Sequence, residues 1–509
     1  MLLLPFRRAT GPRARASDRD IKLPAPETEC RDSREKWEVS GLESNTGSAK
    51  AVAPKGEITM PKLKTVFLTG ALAAALLSPA AQAQTVREES VRGHVSYLAG
   101  EALRGRESAS PDEAMAAAYV GAAFRGYGLL PAPGMQGYTQ PIEIVRLRLD
   151  GAPVLTANGS AIENPLLFAS SGQPARGKLT LYAGSDPKEL PAADVVMLTG
   201  KEGNPLRLAG SVDPARTQLV IIRATAEVRD YYQRIGGAPR LPRYIKGQAP
   251  RPRPTVVALD DTAFDRLAAQ EGTEVSLALP GLVEENRVTT NAIGWLPGTD
   301  PQAGVILLSA HLDHLGVRPD GKVMYGANDD ASGTTAVLEL AQALAGGKRN
   351  RRGILFVAYG SEEAGGFGAR WFAEHPPVPL DQIVANLEFE MIGAQDPKLP
   401  AGTMMMTGFG RSTFGETLKA HGALVTADPY PEQNFFQRSD NYALALKGVV
   451  AHTVSGWAVI PSYHTPEDTV ANLDTAFMTR AIQSLVAPLR SLANSSAKPE
   501  WKEGGRPSE

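Results

Sequence analysis

From about Asn286 onward, two kinds of apolar pattern alternate along the chain. The unbroken runs GVILLSA, GILFVAY and IVANLEF have the length and β-branched content of strands buried on both faces. After the first comes GTTAVLELAQALAGG, a helical pattern ending in glycines. Such alternation predicts an α/β sheet with helices on both faces. Nearer the start, Ser110-Pro111-Asp112-Glu113 reads as a capping box with proline at the first helical position. It opens DEAMAAAYVGAAFRGYG, apolar on most sides and expected to be buried. PIEIVRLRL then alternates like a strand.

The texture changes between about Gly151 and Leu282. Short β-rich runs appear at Leu179–Tyr182, Val195–Leu198, Leu219–Ile222, Thr255–Leu259 and Val275–Leu279, with one expected helix at Thr262–Gln270. A basic, proline-rich connection, PRLPRYIKGQAPRPRP, crosses the same region. These features predict a small β-rich domain inserted into the α/β unit.

Composition narrows the class. The 509 residues are 43% hydrophobic and 21% charged with a net charge of -2, so no general pull toward nucleic acid or an anionic membrane is expected. MPKLKTVFLTGALAAALLSPAAQAQT has the charged start, apolar middle and Ala-x-Ala cleavage pattern of a secretory signal peptide over residues 60–83. Residues 1–59 lack apolar periodicity and read as an untranslated or disordered leader. Lys55-Gly56-Glu57 is encoded by a purine run resembling a bacterial ribosome-binding site, just before Met60. The expected mature chain starts near Gln84, has no membrane span, and lacks the single cysteine, Cys30. Export to the periplasm or medium of a bacterium is expected, with a large core or bound metal doing the work of disulfides.

Charged clusters collect where strands end. GVILLSAHLDHLG carries His311, Asp313 and His314; YGANDDASG carries Asp329 and Asp330; GILFVAYGSEEAGG carries Glu362 and Glu363; NLEFEMIG carries Glu388 and Glu390; SYHTPEDT carries His464. Asp329 and Asp330 are two like charges at the mouth of an apolar helix. Either they cap an exposed turn, or a cation lies between them and the other clusters. Five junctions mixing histidine with carboxylates favour a borderline cation such as zinc.

These motifs, in this order, resemble the dizinc exopeptidase family of secreted bacterial leucine-type aminopeptidases, with glutamate carboxypeptidase and glutaminyl cyclase relatives. The resemblance covers about residues 86–146 and 287–490, including YLAGEALRGRESASPDEAMAAAYVGAAFRGYGL. It implies a three-layer zinc-exopeptidase fold with a central mixed sheet. The catalytic domain would occupy 84–150 and 286–494, a protease-associated-like insert 151–285, and a disordered tail 495–509. It further implies two Zn2+ ions bridged by Asp329, one completed by His311 and Glu390, the other by Glu363 and His464. Asp313, Asp330 and Asp440 would support these ligands from behind. Glu362 would be the general base for metal-bound water, and Tyr463 would stabilise the oxyanion. The implied reaction is removal of N-terminal residues from peptide substrates. Carboxypeptidase and cyclase chemistry are the alternatives on the same fold, and an inactive binding protein the alternative from another class. Arg411 and Arg438 are the cations available to a carboxypeptidase.

Two positions depart from the family pattern: Glu390 stands where Asp is common, with Glu388 as a competitor, and Asn441 stands where His commonly follows Ser-Asp. His314 is expected in a supporting or loop position. His94, His375, His421 and His452 are expected as ordinary surface or core residues, and Met404–Met406 as strand core.

Overall fold

The computed structural model describes residues 85–234 and 236–508. The leader, the signal-like stretch, the expected start at Gln84 and Cys30 lie outside those residues. The apolar runs become neighbouring strands of one nine-stranded mixed sheet. Its strands are β1 (Thr139–Leu149), β2 (Arg243–Ile245), β3 (Leu282–Leu296), β4 (Val305–His311), β5 (Gly353–Tyr359), β6 (Ile383–Phe389), β7 (Met404–Met406), β8 (Val425–Ala427) and β9 (Ala451–Ser455). They lie in the order β8-β7-β9-β6-β4-β5-β3-β1-β2. The central four, β9, β6, β4 and β5, are parallel, and β3 and β1 add antiparallel.

Every residue of β4, β5 and β6 is buried, as strands covered on both faces must be. One face, with Ile306, Leu308, Phe356 and Leu387, packs against helices α1 (Glu88–Leu98), α2 (Pro111–Gly126), α3 (Gly333–Ala345) and α5 (Thr475–Asn494). The other, with Leu307, Leu355 and Val357, packs against α4 (Phe367–Glu374) and the short helix Asn441–Leu446. Three layers result. Burying each such side chain stabilises by about 1.5–3 kcal/mol. Packing is tight enough that a Cβ on Gly353 would sit 1.9 Å from the Trp295 ring, so only glycine fits there.

Helix α2 starts as expected, the Ser110 hydroxyl accepting from the Glu113 amide at 3.2 Å. The capping box is nonetheless incomplete. Glu113 turns inward, accepting from the Ala109 amide at 2.9 Å and the Thr289 hydroxyl at 2.7 Å. The helix also buries one face only, since Met115 is 45% exposed.

A second, eight-stranded sheet lies within residues 154–278 and includes all five expected strands, with ends shifted by up to four residues. It also holds helices the periodicity did not reveal. Pro205–Gly210 is capped by Asn204, and Ala226–Arg234 buries little beyond Val228; both are too short to carry a recognisable stripe. The basic connection is not wholly loop, because its residues Arg243–Ile245 form edge strand β2 against β1. Residues 495–508 differ from the expected disordered tail. Trp501 bridges to Ser412, donates to the Gly448 carbonyl at 3.0 Å and packs edge-on against Phe436. An aromatic residue amid charged ones anchors a segment whose composition alone reads as solvated. Among the described residues no helix is long and apolar enough to cross a membrane.

Candidate metal centre

Four parallel strands deliver the charged clusters to one edge of the sheet, the edge where sites form in open α/β folds. His311 is the last residue of β4, Glu362 and Glu363 follow β5, Glu390 follows β6, and His464 lies in the loop after β9. Asp329 and Asp330 occupy the turn entering α3. Ser361, Met391 and His464 all have positive φ without being glycine, and each such residue costs on the order of 1–3 kcal/mol. Backbone strain therefore concentrates around this centre.

Two overlapping donor groups share Asp329. His311, Asp329 and Glu390 form one; His314, Asp329, Glu363 and His464 form the other, with the donor atoms in each group within 4.8 Å of one another. His311 Nε2 lies 3.2 Å from Asp329 Oδ1, and His464 Nε2 lies 3.1 Å from Asp329 Oδ2 and 3.0 Å from Glu363 Oε1. Yet His311 Nε2, both His314 nitrogens, His464 Nε2, Asp329 Oδ2 and Glu363 Oε1 make no hydrogen bond, although each is buried. Atoms this close and this unsatisfied converge on common points instead of pairing. Nitrogen and carboxylate donors so arranged fit borderline divalent cations.

The adjacent glutamates face different surroundings. Burial pushes the Glu363 carboxyl up, but His464 and His314 outweigh it and hold it down at about 2. Glu362 is raised by burial, with Asp440 and Glu363 adding to it against His311. Burial also lowers His311, yet Asp313 and Asp329 more than offset this and hold it above its ordinary value.

Behind the donors, Asp330 is fully buried and accepts backbone N–H groups from Gly333 (3.0 Å), Met391 (3.0 Å) and His311 (3.3 Å). Asp313 accepts from the amides of Glu362 (2.9 Å) and Glu363 (3.3 Å). His311 Nδ1 lies nearer the Asp313 carbonyl, at 3.2 Å, than its carboxylate, at 3.7 Å. The Asp313 side chain thus fixes the Glu362–Glu363 turn as much as the His311 ring. Asp440 is buried at the head of helix Asn441–Leu446, and burial pushes it up to about 8 against His311. Asn441 donates to the carbonyls of Phe436 and Ala451, holding that helix to β9.

Tyr463 stacks on the His464 ring with centroids 3.8 Å apart and lines a solvent-open cavity with Glu362, Glu390, Met405, Phe435 and Arg438. Burial and then the Asp329 and Glu363 carboxylates raise its phenol, which stays a hydrogen-bond donor. Glu388 stays inside the sheet at 0% exposure and lines no part of that cavity, whereas Glu390 lies with His311 and Asp329. Met404–Met406 are core, with Met405 also reaching the cavity.

The sequence reading missed two residues and placed a third, His314, one step too far from the site. His314 is in the donor group itself, 3.0 Å from Glu363, and not merely beside it. Asp468 accepts from the amides of Asn328 (2.8 Å) and Asp329 (3.1 Å). Arg106, fully buried, donates to the carbonyls of Leu98, Leu312, Tyr325 (2.9 Å) and Gly326 (2.9 Å), binding the N-terminal segment to both site loops. The signal was their place inside motifs already noted: a second histidine three residues after His311, an aspartate four after His464, and an arginine in LRGRES.

Fold and site together define a three-layer α/β protein with a mixed central sheet and a cluster of His, Asp and Glu donors able to hold metal. Residues 291–488 match the model of Peptidase family M28. Aminopeptidase YwaD of Bacillus subtilis is 25% identical over 46% of this chain and 51% of its own. An aminopeptidase from Aneurinibacillus sp. strain AM-1 superposes with a TM-score of 0.56 at 18% identity, covering 81% of this chain and 95% of that one. BSAP, a zinc aminopeptidase from Bacillus subtilis, gives 0.52 at 19% identity over 82% and 97%. The matches take in about half, or less, of the length of the curated relatives.

Proposed function

We propose that the protein is an exported two-zinc aminopeptidase that removes N-terminal residues from peptides. The observation that carries this reading is the pair of unsatisfied donor groups sharing Asp329 beside a cavity lined by Glu362. His311, Asp329 and Glu390 would hold one ion, and His314, Asp329, Glu363 and His464 are the donors for the other. When bound, the two cations supply Lewis acidity, making water a competent nucleophile near neutral pH and polarising the scissile carbonyl. Glu362, on the cavity wall and outside both donor groups, takes the proton from the attacking water and returns it to the leaving amine. Tyr463 donates its O–H to the oxygen that becomes negative. Asp313 keeps Glu362 and Glu363 apart in role by tethering both amides. Residues 84–150 and 286–494 form the catalytic domain of this reading, and 151–285 the insert.

Arg438 favours a second reading, carboxypeptidase action. It lines the cavity, whereas Arg411 is turned away, donating to the Gly505 carbonyl at 3.0 Å. A panel of aminoacyl and C-terminally free peptides, assayed with and without chelator and with metal counted on the purified protein, tests both. Release of N-terminal residues by a two-metal protein is expected. Activity unaffected by complete metal removal ends both readings, and exclusive C-terminal cleavage selects the second.

A further inference from the structure

Edge strand β2 sets Arg243 directly opposite Arg146 of β1. Two residues along β1, on the same face, Ile144 lies opposite Arg287 of β3. Like charges directly opposite one another weaken a strand pair, so their retention calls for a compensating anion. The local carboxylates are already engaged. Glu107 takes Arg146 at 3.0 Å, and Glu285 takes Arg287 at 3.0 Å and Arg148 at 2.9 Å. The Arg243 side chain has no hydrogen bond or ion pair among the described residues. Burial lowers it, Arg146, Arg240 and Arg253 lower it further, and only Glu107 opposes them.

Arg146, Arg243 and Arg287 line one pocket that opens to solvent, bounded by residues 107–110, Glu107 among them, and by Ala364. We infer that this pocket binds a small oxyanion of the phosphate class, gripped by Arg146, Arg243 and Arg287. Guanidinium forks match the oxygens of a phosphate group and are the usual choice where several planar donors must converge on one. A bound dianion also relieves the Arg146–Arg243 repulsion that the protein otherwise carries. The site shares a wall with the metal centre, because Ser108 donates to Asp313 at 2.5 Å and Ala364 follows Glu363 directly.

Inorganic phosphate binding to the full-length protein, measured by calorimetry at constant ionic strength, tests the inference, with Arg243→Gln in parallel. Saturable one-to-one binding is expected, weakened about tenfold or more in the variant, since a charge-assisted hydrogen bond is lost. Without phosphate the variant should melt no lower than the parent, because a like-charge contact disappears. A sugar phosphate that binds more tightly than inorganic phosphate assigns the site to an esterified ligand; equal or weaker binding assigns it to the free anion. Phosphate can also ligate cations held by the carboxylates. Binding that survives undiminished in Arg243→Gln therefore lies at that centre and overturns the proposal, as does no saturation by about 10 mM phosphate. Should Arg243→Gln fail to fold, Arg287→Gln, on a partly exposed side chain, must show the same loss.

Discussion

Removing the Asp330 carboxylate should damage the fold in proportion to the backbone bonds it accepts. Asp330 takes three N–H groups and is inaccessible to water. In Asp330→Ala all three donors lose their partner at once, and a buried unsatisfied group costs about 1–3 kcal/mol. Partial entry of water brings the sum toward the lower end, so a loss of about 3–6 kcal/mol is expected. Asp330→Asn keeps the oxygen facing Gly333 and Met391 but turns an amide N–H toward the His311 N–H. It also relieves a carboxyl that burial holds well above its usual range. Its cost should be nearer about 1–2 kcal/mol. Denaturant titration of metal-free protein reads this directly, provided the slope with denaturant is unchanged between variants. An alanine variant within about 1 kcal/mol of the parent would refute the role given to this side chain. So would an asparagine variant less stable than the alanine one.

The remaining expectations are briefer. Glu362→Gln should retain its metal while losing about 10²–10⁴-fold in turnover, whereas Glu363→Gln should lose metal; elemental analysis beside rates shows whether the roles are reversed. Chelation should abolish hydrolysis and lower the melting temperature, with zinc restoring both, since a ligand bound only by the native state stabilises it. His452 is buried, with Nδ1 donating to the Thr407 carbonyl at 2.8 Å and Nε2 accepting from Ser412 at 2.8 Å, and burial lowers it from 6.5 to about 4. Its neutral form is favoured by folding, so the stability it contributes is complete above about pH 6.5 and is lost as pH falls toward 4, about 3 kcal/mol in all. His452→Gln should flatten the stability profile across that window; an unchanged slope would remove His452 as its source.

The central sheet was legible because strands buried on both faces must be continuously apolar, and GILFVAY and IVANLEF end where their strands end. The donor set was legible for a related reason: a carboxylate or histidine has little cause to follow such a run unless something cationic receives it. His314 was harder. Its distance from His311 along the chain gives no spacing rule, and only the loop's path past Glu363 brings it in. Arg106 and Asp468 lie inside motifs already noted, but each acts on backbone groups of other loops, and a single sequence does not mark those partners. The docked segment around Trp501 and the edge strand Arg243–Ile245 depend on partners far along the chain, and tertiary pairing overrides local composition there.

Arg106 ties the opening of the described chain to the loops at Leu312 and Gly326, while Asp468 clasps the Asn328–Asp329 turn from near the other end. The loops at Leu312, Gly326 and Asn328–Asp329 therefore wait on contacts made from near the two ends of the domain. Closing such distant contacts is slow and comes late in folding. A nascent chain lacks His464 and Asp468 until most of its length has been synthesised. The full donor cluster cannot assemble in a chain still being synthesised, so any activity the cluster supports would wait until the fold is complete.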